Sequence, residues 1–340
     1  MLGATGYTGG LIVERARRAG LPLRLVGRRR DALDTVAVAG DDVRVADARD
    51  ERSLRDAFDG AFAVASTAGP FGIVGHSPLA AAIDRSAHYL DTNGEQDFSR
   101  VVYDDFGGRA EVAGVVALTA FGFDYVPGDL AARIAADGLD PLDEVLVAYS
   151  VAGFAPSAGT RRTIARVMAS DHVAWEGGSR IRSRFGASTR TVRFPFGERS
   201  VVEWSGTEPL SVPRHTQSQR VRSYVRAPRV VAKTAGIAKL AAPLLRLTGA
   251  VGSGPSSKRR AKARFAVVAE AHGPNGSRRV CLTGGDPYAL TAELIVRGAE
   301  ALRNGEARGA GALAPAEAFD ARTFAEKLAP LLEIQAVEDV

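Results

Sequence analysis

The chain has 340 residues, 46% hydrophobic and 24% charged, with a formal net charge of +5 and one cysteine, Cys281. That length holds one large domain or two ordinary ones, the balance is that of a globular protein, and one cysteine excludes an internal disulfide framework. With no signal peptide, no apolar run of membrane-spanning length and five histidines lacking ligand spacing, the expectation is a cytoplasmic protein without a metal site.

The first element is a glycine-rich turn, Gly3-Ala4-Thr5-Gly6-Tyr7-Thr8-Gly9, running straight into the helical stretch Leu11 to Arg15. The spacing is that of a dinucleotide-binding strand–turn–helix. The first glycine permits the turn, the second admits a pyrophosphate to the backbone, and the third lets helix and strand pack closely. Only Met1 and Leu2 precede the turn, whereas a central strand usually needs five or six residues. The expectation is therefore a native start a few residues earlier, which intact-mass analysis would reveal.

Leu23 to Gly27 reads as the next strand and ends in Arg28-Arg29-Arg30. Arg28 lies nineteen positions after Gly9, where this fold places the residue that meets the adenosine ribose. An acidic residue there would accept from a 2′-hydroxyl; arginine pairs in bidentate fashion with the 2′-phosphate of NADP. Arg29 joins it as a candidate, and Arg30 reads as a solvated turn residue. Val43 to Asp47 is a third strand, with Asp47 placed to reach the adenine amino group. A helix over Ser53 to Phe58 leads to a fourth strand, Phe62 to Thr67. That strand delivers Ala68-Gly69-Pro70-Phe71-Gly72 to its carboxyl end, where ligands of open parallel sheets bind.

The pattern continues with a helix from His76 to Ala87, a strand Tyr89 to Asp91, a helix from Asp97 to Ala113 and a strand Val115 to Ala120. Strands alternating with helices predict a parallel α/β sheet of Rossmann type over 1–128. After the last strand comes Gly122-Phe123-Asp124-Tyr125-Val126-Pro127-Gly128-Asp129. Asp129 reads as a helix-terminus acid. Asp124 and Tyr125 are the catalytic candidates, a polar pair just past a strand end, with Tyr125 expected to donate and Asp124 to orient it. No lysine occurs before Lys233, so none of Tyr89, Tyr103 or Tyr125 has a lysine four residues on. That excludes the Tyr-x-x-x-Lys chemistry of short-chain dehydrogenases.

Beyond about position 140 the texture changes. Leu142 to Val151, Arg190 to Trp204, Gln219 to Arg226, Phe265 to His272 and Arg278 to Thr283 have strand lengths without regular helices between them. They predict a second α+β domain over 129–287 with a mixed or antiparallel sheet. One helix, Gly159 to Ala174, interrupts it. Helices at Tyr288 to Leu302 and Ala321 to Leu332 place a helical tail over 288–340. Within the second domain, 230–264 combines an apolar run (Ile237, Leu240, Leu244, Leu245, Leu247) with Lys258, Arg259, Arg260, Lys262 and Arg264. It reads either as an ordinary surface helix with a basic loop, or as a lid or peripheral membrane contact through 230–247. No nucleic-acid motif is present.

Together these segments resemble the saccharopine dehydrogenase-like oxidoreductases, and within them the bacterial trans-acting enoyl reductases. The resemblance rests on Gly3 to Gly9, Gly27-Arg28, Ala68 to Phe71, Tyr89 to Glu95 and Gly122 to Asp129, and later on Gly252 to Arg260, Gly284 to Tyr288 and Leu313 to Ala316. It implies a Rossmann domain, a second α+β domain and NADP-linked redox chemistry on a small-molecule or carrier-bound acyl-chain substrate. Three readings stay open: reduction of an activated C=C, reduction of an imine or carbonyl of an amino-acid-like substrate, and a non-catalytic NADP-binding regulator.

Overall fold

The computed structural model describes residues 1–169, 171–227 and 254–340. The apolar part of the basic–apolar segment, 230–247, thus lies outside the described residues. The chain divides into two units, Met1–Phe123 with Tyr288–Leu313, and Asp124–Pro287 with Ala314–Val340.

Unit 1 is a parallel sheet. β1 (Arg24–Gly27) pairs with β2 (Asp42–Val45), while β3 (Ala63–Ser66), β4 (His88–Asp91) and β5 (Val116–Leu118) run in sequence. Leu2 joins the two groups through parallel bridges to Val26 and Ser66. Its backbone donates to Ala65 at 2.8 Å and accepts from Thr67 at 3.1 Å, while on the β1 side Val26 donates to the Met1 carbonyl at 2.9 Å and accepts from the Gly3 N–H at 3.1 Å, so residues 1–3 do the pairing of a central strand. The order is β2-β1-Leu2-β3-β4-β5, that of a doubly wound nucleotide-binding sheet, and it reverses direction beside Leu2. Helix α1 (Tyr7–Arg18) buries Ile12, Val13 and Ala16, the positions its 3.6-residue period brings to one face. The helix predicted over Asp97 to Ala113 is broken into Gln96–Val101, a π-helical turn Val102–Phe106, and Gly107–Val112.

Unit 2 is built on a mixed sheet of nine strands. They are β6 (Glu144–Ala152), β7 (His172–Glu176), β8 (Ser179–Ser183), β9 (Thr189–Phe194), β10 (Gly197–Glu203), β11 (Arg220–Arg226), β12 (Arg264–Gly273), β13 (Gly276–Gly285) and β15 (Leu332–Asp339). The two-residue β14 (Gly311–Ala312) belongs to unit 1, beside β5. The principal path runs β15-β13-β12-β6-β11-β10-β9, with only β6 and β11 parallel. The helix Val126–Ala136 is buried almost all round and packs on β6, β12 and β13.

Three expectations change here. The run Arg190 to Trp204 is a hairpin, because Pro195 interrupts the ladder between β9 and β10. The helix predicted to Ala174 gives way to β7 from His172. Of the tail 288–340, Leu332–Asp339 is a strand on β13, and the tail is shared between the units at Leu313. The predicted class, a Rossmann-type parallel sheet with a second α+β domain holding a mixed sheet, is the class observed.

Candidate functional site

The glycine turn is built as an anion cradle. Gly6 caps α1 without a side-chain hydrogen bond, and the first turn of the helix contains no acidic residue. The positive end of the helix dipole therefore meets no side-chain cap and no acidic residue of its own first turn, and it favours a phosphate there. The three glycines do different things. Gly3 sits at φ +86°, and a Cβ there would fall 2.6 Å from Thr67 Oγ1. On Gly9 a Cβ would fall 2.1 Å from the Gly3 carbonyl oxygen, so only glycine lets the helix come this close. On Gly6 it would meet only the Gly3 oxygen, at 3.2 Å, and otherwise point into open space. Ala4 is buried, Thr5 is exposed, and Tyr7 sets its ring edge-on to Tyr288 at 5.1 Å. Thr8 is half-buried on the first turn of α1. These residues fit a dinucleotide: a helix N-terminus without a side-chain cap, with Gly6 open to solvent, Gly3 required by its positive φ and Gly9 by backbone contact.

Arg28 and Arg29 stand exposed directly after β1. Arg30 is tied to Asp34 at 2.9 Å, whereas among the described residues no ion pair engages Arg28. Asp47 follows β2; its Oδ1 accepts from the Arg49 N–H at 2.9 Å, a turn-stabilising contact that leaves Oδ2 for another donor. Ala68, Gly69 and Pro70 lie at the carboxyl end of β3, and the Ala68 backbone lies beside Gly3. Phe71 is different: its ring turns into the core, 6% exposed and 5.7 Å from Phe98. Its N–H and that of Gly72 donate to the two oxygens of Glu95, at 2.9 and 3.1 Å.

Sequence reading assigned no role to Glu95 or Asp91. Asp91 is fully buried and accepts from the N–H groups of Asn93 and Ala120 at 2.9 and 2.8 Å and from the Thr119 hydroxyl. Burial outweighs these bonds and pushes its carboxyl up to about 7. Through Ala120, held at φ +54°, it binds together the loops that follow β4 and β5. The only sequence signal was the polar run from Asp91 to Glu95 after a strand.

In unit 2, Tyr125 is 3% exposed and its ring stacks on Trp204 at 5.9 Å. Asp124 keeps solvent access, yet protein density around it desolvates the carboxyl and raises it to about 6, a rise that the access moderates. Behind this pair lies a polar cluster that the sequence did not reveal. The Tyr149 hydroxyl donates to Glu208 Oε1 at 2.7 Å and lies 3.3 Å from the Tyr125 carbonyl, while Ser223 donates to Glu208 Oε2 at 2.6 Å. Gly128 donates its N–H to the same tyrosine oxygen, and a Cβ there would fall 2.2 Å from it. Asp129 is more than a helix-terminus acid: it meets His215 Nε2 at 2.9 Å and accepts from the Ala316 N–H at 2.8 Å. Burial alone would raise Asp129, but the His215 charge and hydrogen bonds outweigh it and hold it below the usual range.

Burial pushes Glu208 up to about 7, against hydrogen bonds from Ser223 and Tyr149. Between the ordinary value of 4.5 and about 7 the folded chain binds a proton that the unfolded chain has released. Stability from this group is complete below 4.5 and is lost as pH rises through about 7. Glu208→Gln is expected to flatten that part of the stability–pH profile, read by urea unfolding at several pH values; an unchanged slope would remove Glu208 as its source.

The fold of unit 1 is of the Rossmann type, and its glycine cradle fits a dinucleotide. Residues 3–130 match the family model described as NAD(P)H-binding. A lipid droplet localized protein of Caenorhabditis elegans is 30% identical over 142 residues, covering 38% of this chain and 33% of that protein. A probable mitochondrial saccharopine dehydrogenase-like oxidoreductase of Arabidopsis thaliana is 30% identical over 152 residues, covering 38% of this chain and 32% of its own. The match thus spans about a third of the length of these curated relatives. Among solved structures, apo saccharopine dehydrogenase (L-Glu forming) from Saccharomyces cerevisiae superposes with a TM-score of 0.66, covering 100% of this chain and 98% of that one. At 11% identity that likeness is one of fold. These matches support the resemblance to the saccharopine dehydrogenase-like oxidoreductases. No helix among the described residues is long and apolar enough to cross a membrane.

Proposed function

We propose that the chain is an NADP-linked oxidoreductase of saccharopine dehydrogenase-like type that reduces the activated C=C of an enoyl thioester on a lipid or polyketide chain. The observation that carries the cofactor choice is Arg28, exposed and without an ion pair among the described residues, at the ribose end of a cradle that fits a dinucleotide. NADPH, when bound, supplies the hydride. The chain's own residues hold the pyrophosphate at Gly6, take the 2′-phosphate with Arg28 and Arg29, and provide a proton. For that proton the sequence reading makes Tyr125 the donor and Asp124 its orienter. The exposure of the two residues favours the reverse: Asp124 has solvent access and a carboxyl raised by the protein around it, while Tyr125 is packed on Trp204 and positions it.

The test is NADPH and NADH titration by nicotinamide fluorescence, followed by NADPH oxidation with an enoyl thioester or with a 2-oxo acid plus amine. Enoyl-dependent oxidation that falls at least tenfold in Asp124→Asn, with NADPH binding unchanged, supports the reading. Oxidation only with the 2-oxo acid replaces it by imine reduction. Tight NADPH binding with no turnover on either class would make the chain a nucleotide-binding regulator.

A further inference from the structure

The sheet of unit 2 does not lie flat. Along its path β9 stands four places from β12, yet Val192 and Phe194 of β9 share one apolar cluster with Ala266 and Val268 of β12 and Cys281 of β13. Strands so far apart in order meet only if the sheet rolls over on itself. Leu146, Ala148 and Tyr224 fill the inside of the roll. Further along the same face, the roll opens. Ser150, Ala266, Thr283 and Glu333 stand in register across β6, β12, β13 and β15, with Ala152, Arg264 and Gly285 in the next row. Together they floor a cavity of about 690 Å³. Small-molecule sites commonly occupy about 300–1,000 Å³ and favour the mouths of rolled sheets.

The lining is amphipathic. Phe196, Phe265, Pro195, Pro330 and Leu331 supply apolar walls. The two lining cations, Arg226 and Arg264, form no ion pair among the described residues. The Arg226 guanidinium lies 5.8 Å from the Phe196 ring centre, and Arg264 donates to the carbonyls of Ala261 and Ala263 at 2.7 and 2.8 Å. Asp286 is neutralised by Arg260 at 3.0 Å, which leaves Glu333 as the other charge among the described lining residues. Phe196 is 45% exposed at the turn between β9 and β10, an aromatic side chain held at the cavity rather than buried.

We propose that this cavity binds an amphipathic carboxylate, its head group taken by Arg226 and Arg264 and its hydrocarbon chain laid against Phe196, Phe265 and Leu331. Arginine suits a carboxylate head because its planar donors pair with both oxygens. Ser150, Thr283 and Gln335 give the floor polar groups that receive an oxygen substituent on the chain. The proposal rests on unit 2 alone and holds whether or not the chain is a reductase.

The experiment is calorimetric titration of the full chain with decanoate, and with decanol as the uncharged comparator. Decanoate is expected to bind, and Arg226→Gln and Arg264→Gln each to weaken it about tenfold while leaving decanol unaffected. Thr283→Leu fills the central row and is expected to abolish binding of both, with NADPH titration unchanged. If that variant fails to fold, Ala152→Leu fills the exposed outer row instead. No binding of decanoate to the unaltered chain, or equal affinity in both arginine variants, would overturn the proposal. Loss of NADPH binding alone would touch the cofactor reading and not this one.

Discussion

Gly9→Ala is expected to abolish NADPH binding and to lower stability by about 3 kcal/mol, the upper end of ordinary overpacking. Inside a helix the change from glycine to alanine normally stabilises by about 1 kcal/mol. Here the new methyl would stand 2.1 Å from the Gly3 carbonyl oxygen and 2.9 Å from its carbon. Both are backbone atoms of the turn, so relief requires α1 to move away from Leu2, the residue that bridges the two halves of the sheet. Gly6→Ala is the control. Its methyl meets only the Gly3 oxygen at 3.2 Å, so the fold should persist while the phosphate approach is obstructed. Urea unfolding and nicotinamide fluorescence, measured on both variants, separate packing from binding. A Gly9→Ala protein as stable as the parent would mean that helix and turn are not held at this distance.

Arg28→Ala should lower NADPH affinity about 10- to 100-fold, which corresponds to losing hydrogen bonds to a charged group worth about 1.5–3 kcal/mol. NADH, which lacks the 2′-phosphate, should bind as before. Since Arg28 is exposed and forms no ion pair among the described residues, its removal should change stability by less than about 0.5 kcal/mol. Arg30→Ala should do neither, because Arg30 is engaged with Asp34. Equal losses for both nucleotides would place Arg28 elsewhere in the site and leave the choice of cofactor to other residues.

The nucleotide half was legible because backbone geometry alone demands its residues. Glycine at positions 3 and 9 follows from a turn and a contact that no side chain tolerates, and the short strands carry continuous apolar runs. Strand β8, Ser-Arg-Ile-Arg-Ser, has no buried side chain, so it offered no pattern to read. β15 alternates well, but it follows a helical stretch and was absorbed into it. The polar clusters were hidden for another reason. Tyr149 and Glu208 touch across 59 positions, Asp129 and Ala316 across 187. Such pairs are set by the tertiary fold, and a local window contains only one partner. Phe71 belongs with them: its neighbours placed it in a cofactor loop, while Phe98 draws its ring inward.

The bridging of the chain has a practical consequence for anyone who wishes to isolate the nucleotide-binding half. Its last pieces return only after the second unit has been threaded through. Arg15 of α1 is salted to Glu293, the Phe123 N–H donates to Thr291 Oγ1, and Gly298 sits so close to Phe121 that a methyl there would fall 2.7 Å from the ring. A fragment ending at residue 128 would leave that groove open and its arginine unmatched. Excising 124–287, splicing residue 123 to 288 through a flexible linker and ending the chain at 313 keeps every one of these partners. A ribosome making the natural chain must likewise hold the first unit unfinished while the second emerges.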